Sequence, residues 1–405
     1  MTTMTRKTIF ETLVSADDAL DTILSKLRPV SGTETVTVVD ADGRVVAEDV
    51  KSTLNVPAFD RAAMDGYAVR SDDLAEPGML RIIGKAVAGK AFKGTIKQGE
   101  CIEIATGAPM PKGADAVVMV ENALLVGNAV SFRTPVAPGE NVGRKAEDIA
   151  KGEVVVRRST QLGPGPIAAI AITGRPKVKV FKRPRVLIFT TGDEVVAPGK
   201  PLKAGQVYDC NSYALMTVAR RAGADVTYRP NVKDTVAELK KVIREASKKY
   251  ELIVFSGGTS VGTRDFANDV IGALGSVHVH GVAIKPGKPV LFGTVGKCGI
   301  LGMPGYPTSC LLTAKLFLSP ALRWLAHNGY IERARRMVTL GHEVKQDKTK
   351  QLLLPVRVDD HDVAFSTFKG SGAITSLSQS TGYIEIDAGD GVIAKGASAV
   401  LRIIA

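Results

Sequence analysis

The stretch ELIVFSGGTSVGTRDF, residues 251–266, concentrates residue types that can do chemistry. An apolar run breaks into a glycine-rich turn and ends on an acid, Asp265. Such a run, preceded by an amphipathic helical pattern, reads as a buried parallel strand, and open α/β sheets bind ligands at the carboxyl ends of their strands. Gly257, Gly258 and Gly262 let backbone N–H groups approach an anion, and Thr259 and Ser260 add hydroxyl donors, so the turn can cradle a phosphate. Two further loops follow apolar runs. IKPGKP (284–289) carries Lys285 and Lys288, and GMPGYPTS (302–309) carries Pro304 and Gly305. Taken singly, each is an ordinary turn; together they can converge on one polyanionic ligand.

Acids recur at equivalent places. Glu194, Asp234 and Asp265 each fall near the end of a strand-like run or in the loop after it, where carboxylates can hold Mg²⁺ on a pyrophosphate. Lys285 and Lys288 can neutralise charge that develops as such an anhydride splits. The simpler reading makes Asp234 a helix start signal and Asn211 an N-cap. Earlier in the chain, FDRAAMDGYAVR (59–70) packs Asp60, Asp65 and Gly66 into a tight loop, ATGAPMPK (105–112) presents Thr106, and residues 139–152 mix Arg144, Lys145, Glu147 and Asp148. Those acids can orient a ligand or a hydrated cation; an isolated Asp-Gly is more often a turn. Ser–His–Asp spacing, HExxH and GxxxxGK[ST] are missing from the sequence, which leaves acyl-enzyme catalysis, zinc proteolysis and Walker-type hydrolysis without support.

Composition narrows the partner. At 405 residues, two to four domains are expected. A net charge of +12 calls for an anionic partner, but aromatics are 5% and the basic residues are scattered, so a small phosphorylated molecule fits better than nucleic acid. The apolar stretches fall short of the roughly 18 residues that span a bilayer, and the first residues lack a secretory layout, so the expected location is cytoplasmic. Cys101, Cys210, Cys298 and Cys310 show no metal-type spacing and are expected as reduced core thiols.

The elements that must position these groups are legible from periodicity. Leu20, Ile23, Leu24 and Leu27 form a helical stripe opened by Ser15 and Asp18 in a capping-box arrangement. From Glu34 to about Val180, short alternating runs separated by Gly, Pro and Asn predict β-rich modules. From Arg185 the pattern turns α/β: a strand in VLIFTTGDE, a helix over 211–222, another over 235–246 with Thr235 and Glu238 as a second capping box, then the ELIVF strand. A parallel sheet follows from that alternation. An apolar helix from Ser309 to about Leu325 leads into a strand-rich tail that predicts a small β-barrel or sandwich.

Read in order, FDRAAMDGYAVR, ATGAPMPKGADAVV, ENVGRKAEDIAKG, TTGDEV, VYDCNS, SGGTSVGTRDF, VAIKPGKPV and GMPGYPTS follow the order and spacing found in molybdopterin molybdenumtransferases, relatives of the gephyrin E domain. The chain resembles that family over nearly its whole length. The resemblance implies an α/β-plus-β multidomain fold: a molybdopterin-binding parallel-sheet domain (8–32 plus 184–327), an elongated β-rich linker and dimerisation domain (33–51 plus 153–183), an inserted β-rich active-site module (52–152) and a C-terminal β-barrel (328–405). It implies a cytoplasmic homodimer whose cleft lies between the α/β domain of one subunit and the inserted module of the other. The implied reaction inserts molybdate, or tungstate, into adenylylated molybdopterin with Mg²⁺-assisted release of AMP. Possible contact with the molybdopterin adenylyltransferase is implied as well; nucleic acid and membrane are not.

Carried over motif by motif, the catalytic positions are Asp65, Thr106, Asp148, Asp265 and Lys285, and the metal positions are Glu194, Asp234 and Asp265. Gly257, Gly258, Thr259, Ser260, Gly262, Lys288, Pro304, Gly305 and Ser371 would bind substrate. The chain departs from the family pattern at several points. Arg61 and Ala62 replace Asn-Ser, Ala146 replaces a glycine, Gly281 beside His280 stands where a lysine is usual, and Tyr306 replaces an asparagine and would narrow the pocket or stack on a purine. Lys350 and Arg357 are the basic residues nearest an expected arginine. Two alternatives compete: a molybdopterin adenylyltransferase, whose fold the glycine-rich domain resembles by itself, and a gephyrin-like scaffold.

Overall fold

The computed structural model describes residues 13–230, 232–258, 266–329 and 335–404. The chain divides into two compact units, one of residues 35–42 and 46–179, the other of 1–34, 43–45 and 180–405.

The second unit holds the parallel sheet. Its strands run in the order Asp225–Tyr228, Arg185–Thr190, Leu252–Ser256, Cys298–Met303, Leu291–Val295, Ser276–His280, the first four parallel and the hairpin Leu291–Met303 antiparallel. Leu252–Ser256 is buried along its whole length, as a central parallel strand must be. Strand alternation splits the core in two: Val186, Ile188 and Val254 pack with helix Asn211–Arg221, whereas Leu187, Phe189, Ile253 and Phe255 pack under helices Val236–Ala246 and Phe266–Leu274. Helices therefore cover both faces.

Helix Ala16–Lys26 belongs to the first of these cores through Ala19 and Ile23, with Ser15 accepting the Asp18 N–H at 3.1 Å. Its end is tied down where the Trp324 indole N–H donates to Leu27 O (3.1 Å). Thr235 likewise caps Val236–Ala246, accepting from Glu238 N–H (3.3 Å), while the Glu238 carboxylate pairs with Arg229 at 3.0 Å. The apolar helix begins at Pro307, two residues before its expected start, and passes through a wider π-type turn, Ala314–Leu318, before Ser319–Leu325.

Residues beyond 335 close into a barrel of five strands. Gln351–Val358 pairs with Val363–Ser366, which pairs with Arg335–Leu340, then Ser398–Ile403, then Gly382–Ile386, which returns to Gln351–Val358. Closure removes unpaired edges and encloses Val338, Leu340, Val356, Ile384 and Leu401. The short strand Ile284–Lys285 joins this barrel in parallel beside Gln351 and Leu352. One of the lysine loops is thus stitched to it.

The first unit is β-rich as expected, built on a six-stranded sheet ordered Ala116–Met119, Gly66–Val69, Glu100–Ile104, Gly78–Ala86, Ala129–Phe132, Ala123–Val126. Tyr67 meets Phe132 edge to face, with ring centroids 5.8 Å apart, in its core. Helix Pro164–Ala171 was not anticipated in this unit. Its run PGPIAAIA is apolar all round, which hides the helical period, and only the start signal, proline after a glycine N-cap, marks it.

Candidate functional site

Each unit carries one group of the nominated residues. In the α/β-barrel unit, a cleft of about 1180 Å³ opens at the carboxyl ends of the parallel strands. All three loops picked from the sequence line it: Gly257 after the central strand, 284–289, and 304–307 after Cys298–Met303. The C-terminal region contributes Lys350 and residues from Phe368 to Ile374 to the same lining. Of the nominated residues, Glu194, Gly257, Lys285, Lys288, Pro304, Gly305 and Ser371 line this space. Asp265, Thr259, Ser260 and Gly262 lie outside the described residues.

Close backbone approach explains Gly257. A Cβ on Gly257, which sits at φ +94°, would lie 2.5 Å from Thr191 O. One on Gly305 would come within 3.8 Å of the Gly257 Cα. The two loops therefore face each other at backbone distance.

Asp234 stands behind this cradle. Its Oδ1 would be 3.4 Å from a Cβ placed on Gly258, and its carboxyl is pushed above the ordinary range by burial first, then by the charges of Glu194 and Asp193; the Thr191 hydroxyl beside it acts the other way. That hydroxyl is buried and makes no hydrogen bond of good geometry among the described residues. The structure thus gathers Glu194 and Asp234. Among the described residues no group of three His, Cys, Asp or Glu side chains is placed to hold a metal.

Lys285 is engaged, its Nζ donating to Asp347 Oδ2 at 3.1 Å. Ser371 is held on the start of the Pro307–Thr313 helix, where Thr308 N–H donates to its carbonyl at 3.0 Å. Lys350 lines the cleft, whereas Arg357 sits within the barrel sheet opposite Phe365. Gly281 has φ +93°, a conformation that disfavours any side chain.

Sequence reasoning missed the polar floor of the cleft. Asn211 is no N-cap: Asp209 does that work, its Oδ1 accepting from Ser212 N–H (2.9 Å) and its Oδ2 from the Thr190 hydroxyl (2.6 Å). The Asn211 amide points elsewhere, donating to Ser256 Oγ and to Gly305 O, both at 2.8 Å. The signal available was the run of polar residues DCNS at a helix start, and its partners are distant in sequence. Cys210 is likewise no core thiol; it is exposed and lines the cleft, while Cys101, Cys298 and Cys310 are buried with their thiols pushed up to about 12.

In the β-rich unit, Asp65 Oδ1 accepts from both the N–H (2.7 Å) and the hydroxyl (2.9 Å) of Thr106. Pairing of Gly66 with Ile104 brings these two loops together. The two hydrogen bonds, backbone first, hold the Asp65 carboxyl below its ordinary range. The third loop joins by Asp60, which accepts from Lys145 N–H (2.7 Å), and by the Asp148 N–H, which donates to Val56 O (3.1 Å). Asp65, Thr106 and Asp148 are all exposed.

Family models agree with this layout. Residues 14–174 match the MoeA N-terminal region (domain I and II), 187–324 a probable molybdopterin binding domain, and 337–400 the MoeA C-terminal region (domain IV). A molybdopterin molybdenumtransferase of Haemophilus influenzae is 36% identical over 76% of this chain and 77% of its own length. The chain belongs to the molybdopterin molybdenumtransferase family. Another member, from Nostoc, is 38% identical over 75% of this chain and 72% of its own. The crystal structure of the molybdopterin biosynthesis MoeA protein from Pyrococcus horikoshii is 36% identical, covers 97% of this chain and 100% of that one, and superposes with a TM-score of 0.82. The residues matching the MoeA C-terminal region form the β-barrel, and no described helix is long and apolar enough to cross a membrane.

Proposed function

We propose that the chain is a transferase of molybdenum cofactor biosynthesis that takes adenylylated molybdopterin and molybdate, places the metal on the pterin dithiolate and releases AMP. The observation that carries this reading is the single cleft onto which the Gly257, Lys285 and Gly305 loops and the barrel residues Lys350 and Ser371 all open. In the reaction two Mo–S bonds form while one molybdate oxygen leaves with the two thiol protons as water; a water oxygen bonds to the phosphorus on the pterin side, its bond to the bridging oxygen breaks, and AMP leaves with that oxygen. Backbone N–H groups beside Gly257 and Gly305 would hold the phosphates, while Lys285, Lys288 and Lys350 would balance the charge that builds on the leaving group. The adenylyltransferase and scaffold alternatives are not favoured, since relatives matched over three-quarters of the chain carry the molybdenumtransferase name.

Mg²⁺ fits the residues present. Burial first, and then repulsion from Glu194 and Asp193, raises the Asp234 carboxyl, and a cation would relieve the repulsion; the buried Thr191 hydroxyl beside Asp234 adds an oxygen. Glu194 and Asp234, with Asp265 from the sequence motif, would hold the ion, which would polarise the phosphate oxygens. Asp65, Thr106 and Asp148 would serve the pterin or the oxyanion, with tungstate able to replace molybdate. A cytoplasmic homodimer, with possible contact to the adenylyltransferase, completes the reading, as does the four-domain division 8–32 plus 184–327, 33–51 plus 153–183, 52–152 and 328–405. Purified protein given adenylylated molybdopterin, molybdate and Mg²⁺ should release AMP; equal release by Asp265→Ala would refute the acid roles.

A further inference from the structure

The floor of the cleft is held by a set of hydrogen bonds that no loop makes for itself. Asn211 is 8% exposed, and its amide nitrogen donates to Ser256 Oγ and Gly305 O, both at 2.8 Å. Ser256 in turn donates to Pro304 O at 2.9 Å. Ser256 closes one parallel strand and Pro304 follows the next, and these strands stand side by side with Ser256 opposite Met303. Asp209 repeats the arrangement one strand over, accepting from Thr190 (2.6 Å) while capping the helix. Two side chains of the helix start, Asp209 and Asn211 on either side of Cys210, thus reach the exits of three strands.

We infer that Asn211 is a positioning residue that clamps the loops after two neighbouring strands and so sets the width of the phosphate cradle. An amide suits the task because its two N–H donors can serve two oxygen acceptors at once. An isosteric carboxylate would instead present lone pairs to Gly305 O and would repel it. Cradle width matters because the two loops face each other across Gly257 and Gly305, where a methyl on Gly305 would already be in van der Waals contact, 3.8 Å, with the Gly257 Cα. The inference rests on the functional reading only in taking the cleft to bind phosphate.

The test uses the full chain. Amide hydrogen exchange of the segments around Ser256 and 302–309, and AMP affinity by calorimetry, are measured for wild type and Asn211→Asp at about pH 8 and about pH 5, side by side; a buried Asp titrates above its ordinary value near 3.9. At the higher pH Asn211→Asp should exchange faster in both segments and bind AMP roughly tenfold or more weakly. At the lower pH the protonated carboxyl donates one hydrogen bond, so both deficits should shrink relative to wild type. Wild-type exchange at the higher pH, or deficits that ignore pH, would overturn the clamp. Should Asn211→Asp fail to fold, Ser256→Ala decides: weaker AMP binding and faster exchange at 302–309 support the clamp, and wild-type values overturn it. A wild-type protein that does not bind AMP refutes the functional reading, while the exchange result still judges Asn211.

Discussion

Lys285 donates to Asp347 at 3.1 Å, so an ion pair adds to the strand pairing that joins the lysine loop of the cleft to the C-terminal barrel region. Asp347 is itself organised by its own chain, accepting from Thr349 N–H at 3.2 Å. Under the proposed function a substrate phosphate would compete with Asp347 for Lys285. The exchange is easy because the lysine side chain is 58% exposed, and solvated ion pairs are weak.

Neutralising the competitor should release the lysine. Asp347→Asn is expected to tighten AMP binding roughly threefold at low salt, with the gain vanishing at high salt, as screening requires. Calorimetry at two ionic strengths checks this. The Asp347 carboxyl is held below its ordinary range, first by the Thr349 N–H and then by Lys285. Its contribution to stability is therefore present above the unfolded value near 3.9 and is lost as pH falls through the lower folded value. Melting curves of wild type and Asp347→Asn should converge below about pH 4.

The Asp65–Thr106 pair gives a second outcome. Thr106→Val removes the hydroxyl donor at 2.9 Å but keeps the backbone donor at 2.7 Å, so the Asp65 carboxyl should titrate upward without reaching its ordinary value. Carboxyl NMR would read that shift directly. Asp65→Asn should slow AMP release about 100-fold and lower the melting temperature only slightly, since the exposed side chain loses charged hydrogen bonds that solvent already weakens.

Asp234 behaves in the opposite sense. Burial and the neighbouring acids raise its carboxyl, so the stability it contributes is fully present below the unfolded value and is lost as pH rises through the folded one. Added Mg²⁺ should reverse that loss, raising the melting temperature more at pH 8 than at pH 4. Glu194→Gln should lower the Asp234 titration and shrink the Mg²⁺ increment. An increment equal at both pH values would contradict the metal assignment.

Ala146 occupies φ +62°, a left-handed conformation that costs a residue with a Cβ about 1–2 kcal/mol. Ala146→Gly should stabilise the protein by up to about 1 kcal/mol after the larger chain entropy of glycine is subtracted. Denaturant melts would show the midpoint move with an unchanged slope.

Much was legible beforehand because it rests on local periodicity. Apolar alternation and helix caps marked the α/β alternation, the strand Leu252–Ser256, the helices opened by Ser15 and Thr235, and the strand-rich tail, since each depends on residues a few positions apart. The glycine and lysine loops were visible as punctuation, and motif order pointed to the family. Pro164–Ala171 escaped because a helix that is apolar all round shows no period.

Tertiary structure decided the rest, because hydrogen-bond partners are chosen by folding. Which way Asn211 faces depends on Ser256 and Gly305, 45 and 94 positions away in the chain, and no local signal distinguishes that bridge from a cap. That Lys285 meets Asp347, that Lys350 and not Arg357 lines the cleft, and that Cys210 is exposed follow from barrel closure and strand order. Sequence by itself determined which residue types were available and which segments would be strands, helices or loops. Only the packed chain determined which of those side chains share a site, since contacts between distant residues follow from burying the core.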